Sequence, residues 1–392
     1  MIAKAFILLL HHCYGSAALR NPGRDRINTV PFLFVWSIAA LLLQLNVRAE
    51  SPGTLRVPPG FKIAVYAADV PAARQIAVGS SGLVFVGSRQ GKVYALVDKD
   101  GDYKVDETVV ITDQLALPTG VALHDGALFV GDVSRILRFD NIAEHYRERP
   151  MPHVVYDRLP TDTHHGLKYL AFGPEGKLYV PVGAPCNVCL KPLPYSALLR
   201  LNPDGSGLEV VATGIRNSEG FAWHPVTSEL WFTDNGRDWL GDNRPDCELN
   251  RVTAVGQHFG FPYVHGGDVL DPEFGVGHTA QEFTPPVVKL GPHVAPLGMM
   301  FYTGRQFPAQ YRDNLFIAEH GSWNRTEKIG YRVVRVVLDK NGVAITHEPL
   351  ITGWLHDGEV TGRPVDIAAL SDGSVLISDD DAGVIYRLSY GG

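Results

Sequence analysis

The chain has 392 residues, of which 41 are Gly and 27 Pro, and only 20% are charged. This composition suits an all-β protein rich in tight turns. A net charge of −7, with no long basic run, argues against nucleic acid as a partner.

The N-terminus stands apart from the rest. Residues 30–47, VPFLFVWSIAALLLQLNV, form a nearly uncharged apolar run preceded by Arg20, Arg24 and Arg26. The run ends at Val47-Arg48-Ala49, a small-x-small pattern that suits signal-peptidase cleavage. It is also long enough to span a bilayer. Residues 1–50 therefore read as a signal peptide or N-terminal membrane anchor, and residues 51–392 as one domain. That domain is expected to work in the periplasm or as a secreted protein, with membrane anchoring through the N-terminus as the variant case.

After the leader, a short apolar strand runs six times into a small Gly- or Asp-bearing turn, and a second strand leaves it. The copies are IAVGSSGLVFVGS (76–88), VALHDGALFVGDV (121–133), LAFGPEGKLYVPVG (170–183), FAWHPVTSELWFTDNG (221–236), MMFYTGRQFPAQYRDNLFIAEHG (299–321) and IAALSDGSVLISDD (367–380). They recur at intervals of roughly 45 to 80 residues, the range of propeller blades with insertions. A lone hairpin cannot bury both faces, so the copies must stack radially around an axis. Most continue into a third strand, such as GKVYALV, RILRFD, ALLRLN, YRVVRVVLD or GVIYRL. The fold class expected is all-β, a six-bladed β-propeller.

Between the outer strands of the first blade lies DKDGDYKVDE (98–107). Its Gly101 falls at the fourth position of the run rather than the sixth, and no Glu closes a twelve-residue calcium loop. It reads as a turn. Cys13 belongs to the leader. Cys186-Asn-Val-Cys189 is followed by Leu190 instead of the His of a haem-attachment site, and no second CxxC completes a zinc site. A short disulfide loop is expected in an oxidising compartment, with Cys247 left over.

In a propeller, the loops leading into each innermost strand open on the same face as those leaving the second strand. On the other face the hairpin turns are plain: SSG, HDG, PEG, PVTSE and SDG, with TGRQFPAQYRD as a longer packing loop. The first face carries DTHHG, GIRNSEG, GPHVAPLG and TGRPVD, together with VGAPCNVC, TDNGRDWLGDNRPDCELN, AEHGSWNR and SDDDAG. His, Arg, Asn and Asp concentrate on this rim, where loops on a rigid scaffold place binding chemistry.

Several of these segments resemble the soluble aldose dehydrogenases dependent on pyrroloquinoline quinone (PQQ), in their sorbosone dehydrogenase-like branch. The resemblance rests on HHGLKYLAFGPEGKLYVPVG, GIRNSEGFAWHP, ELNRV with GQHFGFP, APLGMMFYTG and GRPVDIAALSDGSVLISDDDAGVIYRL. PCNVC and EHGSWNR with GYRVVRV point to the branch. The resemblance covers about residues 55 to 390. It implies a quinoprotein that oxidises an aldose or sugar aldehyde, with PQQ and Ca²⁺ as cofactors and an external electron acceptor.

By the same resemblance His165, eight residues before the Gly-Pro of FGPEGK, is the base. A neutral imidazole suits that task near neutral pH. The resemblance makes Arg216 and Asn217 contacts for PQQ and sugar, Asn235 a cofactor contact, and the carbonyls of Gly236 and Arg237 the calcium ligands. Arg237, Arg325 and Arg363 join the cofactor-binding candidates, since a tricarboxylate needs cationic partners, and Asp246 completes them as an acid that supports the contacts. Asp242 competes with Asp246 for an acidic role, and His164 is expected to support its neighbour. His293 and His320 lie on the rim without an assigned role.

The chain departs from the family pattern in two places. The loop from Asn235 to Glu248 is longer, with Arg237 where Pro is usual, and the Gln expected before the second blade is replaced by LPTG (117–120). Two other classes compete. Calcium-dependent hydrolases of the gluconolactonase and strictosidine synthase kind could use Glu219, Asn217, Asn235 and Asp366. A non-catalytic interaction propeller is the other.

The leader reading has a direct check. N-terminal sequencing and membrane fractionation of the exported protein should find a new N-terminus near residue 49, or a membrane-anchored chain. A soluble full-length chain in the cytoplasm contradicts it.

Overall fold

A computed structural model describes residues 52–339 and 341–391. The expected leader and Cys13 lie outside these residues.

Six antiparallel sheets carry the fold. Their innermost hairpins are Ala73–Val78 with Val84–Ser88, Gly120–His124 with Ala127–Asp132, Ala171–Phe172 with Leu178–Val182, Phe221–Trp223 with Leu230–Asp234, Pro296–Phe301 with Leu315–Glu319, and Pro364–Ala369 with Val375–Asp379. These are the six repeats read from the sequence, and they form a six-bladed β-propeller. The third blade adds a short parallel strand, Gln257–His258, at its outer edge.

The ring is closed by chain ends. Phe61–Ala67 pairs antiparallel with Val384–Tyr390, so the first described strand is the outer strand of the last blade. The pairing joins segments more than 300 residues apart, and no local pattern announces it. It ties the last blade to the start of the domain and so holds the row of blades closed as a ring.

Second strands such as Val84–Ser88 and Leu178–Val182 are buried along their whole length. Neighbouring blades cover both of their faces, which is why they read as continuous apolar runs rather than alternating ones. The outermost strand Ala344–Ile351 is mostly exposed along its first six residues, and buried only at Leu350 and Ile351. The core lies in the wedges between blades, and the closing strand takes part in it. Phe61 sits edge-on to Phe307 at 4.8 Å and to Tyr311 at 5.0 Å. Both partners come from TGRQFPAQYRD, which is a packing loop as expected.

The acidic run 98–107 is a turn between outer strands of the first blade. The Asp98 carboxylate accepts the amides of Gly101 at 2.8 Å and Tyr103 at 2.9 Å. Cys186 and Cys189 form a disulfide, while Cys247 is a buried free thiol.

Phe61→Ala should cost about 3–5 kcal/mol, the usual penalty for emptying a buried aromatic site. Val154→Ala, at an exposed outer-strand position, should stay within about 0.5 kcal/mol. Urea denaturation measures both, and equal effects contradict the assigned role of the closing strand.

Candidate active site

The axis is crossed by a buried ion pair. Arg74, in the innermost strand of the first blade, is only 4% exposed. Its guanidinium pairs with Glu219, on the loop leading into the fourth blade, and with Asp380 of the sixth at 2.9 Å. A buried charge requires such partners. Next to it, the Gln75 amide oxygen accepts the N–H groups of Val121 at 3.0 Å and Leu170 at 2.9 Å, tying three blades together. The cavity left among Arg74, Thr119, Lys168, Glu219 and Asp366 measures about 10 Å³, room for roughly one water. The channel is filled at this level, so ligand chemistry belongs to the open rim.

His165 lies on that rim in a left-handed backbone conformation, φ 50°. Such a backbone is unusual outside glycine and collects at functional sites. Gly183 makes room for it, because a Cβ there would stand 2.6 Å from the His165 Cβ. The His165 Nδ1 lies 2.8 Å from the carbonyl oxygen of Ala184. A carbonyl only accepts, so Nδ1 carries the proton and Nε2 holds the lone pair. Burial first, then the charge of Arg216 and then His164, push this imidazole down to about 3. It is neutral throughout the neutral pH range. His164 beside it is exposed, with its ring 4.1 Å away.

The disulfide loop sets the geometry of Arg216. Asn187, between the two cysteines, accepts Arg216 Nε on its backbone oxygen and Nη2 on its side-chain oxygen, both at 2.9 Å. Arg216 Nη2 also pairs with Asp238 at 3.0 Å, and Nη1 donates to the Asn235 carbonyl at 3.3 Å. Beneath this loop, the Asp234 carboxylate accepts the backbone N–H of Arg216 at 2.9 Å and of Asn217 at 2.7 Å. The Arg-Asn pair is thus held through both main chain and side chain. The Asn217 Nδ2 donates to Glu219 at 3.2 Å. The Asn235 Nδ2 donates to the carbonyls of Asn217 and Pro296, linking the fourth blade to the fifth.

The remaining candidates divide. Among the described residues, no protein donor reaches the carbonyls of Gly236 or Arg237. The Arg237 guanidinium, however, is taken by the buried carboxylate of Asp271. Arg325 donates to the Asp242 carbonyl at 2.9 Å and to the Asn243 side chain at 3.1 Å, bracing one rim loop against another. Asp242 accepts the backbone N–H of Thr326 from the same neighbour. Asp246 begins the third strand of the fourth blade and faces Lys289 at 3.8 Å. Arg363 lies over the Tyr331 ring at 5.3 Å and near His320, with no carboxylate partner among the described residues. His320 bonds Asp380 at 2.8 Å, and His293 donates to the Gly241 carbonyl at 2.9 Å. Of the acids proposed for a hydrolase, Glu219 is held by Arg74, and Asp366 accepts the amide of Ile76 at 2.8 Å.

Sequence reasoning passed over Arg74, Lys168, Asn187 and Asp238. Arg74 and Lys168 stand just where the chain enters an innermost strand, the same place as Arg363, and that position was the available signal. The Lys168 ammonium is buried and donates to the Gly166 carbonyl at 2.8 Å. Burial pushes it down to about 8, against the pull of Glu219 and Asp132.

The model of the glucose/sorbosone dehydrogenase family matches residues 145–387, and the chain belongs to that family. An uncharacterised protein of Borreliella burgdorferi is 35% identical over 367 residues, covering 89% of this chain and 95% of its own. A PQQ-dependent pyranose dehydrogenase of Coprinopsis cinerea is 32% identical over 120 residues, which is 26% of this chain and 16% of that protein. The calcium structure of a Trichoderma reesei carbohydrate-active enzyme of family AA12 shares the fold, with TM-score 0.78 at 19% identity over 89% of this chain and all of the other.

Behind the Arg216 loop lies a second cavity of about 10 Å³, lined by Asp234, Gly236, Glu248 and His265 among others. Burial and then the charge of Asp234 push Glu248 up to about 8 from an ordinary 4.5. Its Oε2 faces the Asn250 amide at 2.9 Å, while the Asn250 oxygen has no partner. Turning that amide lets a protonated Glu248 donate to it. The folded state keeps this proton while the unfolded chain releases it. The contribution of Glu248 to stability is therefore complete below about pH 4.5 and is lost as pH rises through 8. Glu248→Gln should reduce the loss of stability between those limits, measured by denaturant titration at several pH values. An unchanged pH slope contradicts a protonated Glu248.

Proposed function

We propose that the protein is a PQQ-dependent sugar dehydrogenase that oxidises an aldose or sugar aldehyde, with His165 as the base. The observation that carries this reading is the neutral His165, its Nδ1 fixed on Ala184 and its imidazole within reach of the Arg216 charge. The likeness to the PQQ-dependent pyranose dehydrogenase of Coprinopsis cinerea supports it. So does the fold shared with the PQQ-bound aldose sugar dehydrogenase of Streptomyces coelicolor, TM-score 0.60 at 19% identity over 85% of this chain and 99% of the other.

The residues present fit the cofactor. Arg363 offers a guanidinium without a carboxylate partner among the described residues, and Lys168, in the floor below the rim, offers a buried amine bonded to the Gly166 carbonyl. Arg216 has four of its five N–H groups on Asn187, Asn235 and Asp238, which fix the guanidinium and leave one Nη1–H for a ligand. The unengaged carbonyl oxygens of Gly236 and Arg237 are hard ligands suited to Ca²⁺. PQQ, when bound, supplies an ortho-quinone that accepts a hydride from the carbon bearing the sugar hydroxyl.

The chain's own residues do the rest. His165 Nε2 takes the hydroxyl proton as the hydride leaves. Arg216 and Asn217 orient the sugar and the cofactor. The electrons pass on to an external acceptor, as the sequence carries no haem motif, and the reaction takes place outside the cytoplasm.

His165→Ala should slow single-turnover sugar oxidation by about 10²–10⁴-fold, the usual contribution of a positioned base. His165→Gln should do no better, since an amide does not accept the proton. His164→Ala should cost far less. Stopped-flow absorbance of the protein reconstituted with PQQ and Ca²⁺ measures all three. Equal losses at positions 164 and 165 contradict the assignment.

A further inference from the structure

Two of the chain's six tryptophans stand out on the rim. Trp239 is 67% exposed and Trp323 65%, whereas Trp231 and Trp354 are fully buried. Exposed indoles are uncommon on a soluble surface unless something binds them. The two rings meet edge to face, centroids 5.5 Å apart and planes at 90°, forming an exposed aromatic corner.

Their positions tie them to the site. Asp238, next to Trp239, bonds Arg216 through Oδ2 and accepts Asn324 Nδ2 through Oδ1 at 2.8 Å. Asn324 is next to Trp323. One carboxylate therefore joins the Arg216 loop to both indole-bearing loops, and Arg216 is the neighbour whose charge is felt by His165. The corner is rigid as well. Arg325 braces the two loops, and Trp239 itself is held at φ 68°, a strained backbone for a bulky aromatic residue. Such preorganisation lowers the entropic cost of binding.

The surroundings indicate what fits. Asp242, Asn243 and Arg244 follow Trp239 and Leu240 in the same loop and are partly or fully exposed, so the indoles have polar groups close by in the chain. A protein interface would want a broader apolar patch. A pyranose ring matches the spot, because its C–H face stacks on an indole while its hydroxyls stay among polar side chains.

Building on the dehydrogenase reading above, we infer that Trp239 and Trp323 form a subsite for the second ring of an oligosaccharide whose terminal aldose reaches His165. The preferred substrate is then a di- or trisaccharide rather than a free monosaccharide. No covalent step is added. The indoles contribute binding that is the same in ground and transition states.

Two measurements test this. In the reconstituted enzyme, Trp323→Ala and Trp239→Ala should each raise KM for cellotriose or maltotriose about tenfold, the cost of losing an aromatic anchor. Both should leave kcat, and KM for glucose, within about twofold. Equal losses on glucose and on both trisaccharides overturn the inference, as does no loss on either trisaccharide. In the protein without PQQ, a trisaccharide should change the tryptophan fluorescence of the wild type more than glucose does, and Trp323→Ala should abolish that difference. If the wild type oxidises no sugar but this fluorescence response persists, the dehydrogenase reading fails and the saccharide subsite stands. No response to either trisaccharide overturns the subsite whatever the activity.

Discussion

The buried charge of Arg74 is the constraint on which the centre of the molecule depends. Its guanidinium is satisfied only by bringing Glu219 from the opposite blade and Asp380 from the adjacent last blade onto the axis. Removing one partner of such a buried pair costs about 3–5 kcal/mol, because the remaining charge is left without water or counter-charge. The pair also fills the channel, together with Gln75, Thr119 and Lys168. What would be a pore becomes a floor, and His165 and Arg216 stand on the rim above it.

On that face a small loop does much of the positioning. The Cys186–Cys189 disulfide closes a turn whose Asn187 grips both Arg216 and Asp238. Asp234 holds the same segment by its backbone amides. With both ends of Arg216 fixed, its charge acts on His165 from a constant place and helps to keep the imidazole neutral. Packing fixes the blades, and hydrogen bonds to main-chain atoms fix the chemistry, so each link can be broken by a single substitution.

Much of this was legible in the sequence, and the rest was hidden for identifiable reasons. Each hairpin is a local object, defined by apolar runs and a Gly or Asp turn, so all six blades could be read directly. Ring closure could not, because Phe61–Ala67 has the pattern of any strand and its partner lies at the other end of the chain. His165 and Arg216 were singled out through their motifs, and the fold brings them close enough for the charge of one to act on the other. Arg237 and Arg325 show why charge alone misleads: a sequence displays a guanidinium but not its partner, and these two are engaged by Asp271 and by a neighbouring loop. Arg74 and Lys168 were overlooked for the converse reason, being single charges inside segments that read as ordinary strand approaches. The disulfide was expected, but its role was not, since that depends on Asn187 meeting a loop 50 residues away.

The central claim is that this rim is a quinone-cofactor site. It is tested most directly by titrating the protein with PQQ in the presence of Ca²⁺ and following the quinone absorption band. Saturable binding of one PQQ per chain, weakened in Arg363→Ala and followed by bleaching of the band when an aldose is added, is the predicted result. A folded protein that binds no stoichiometric PQQ, or whose bound PQQ is indifferent to every sugar and sugar aldehyde, would contradict it.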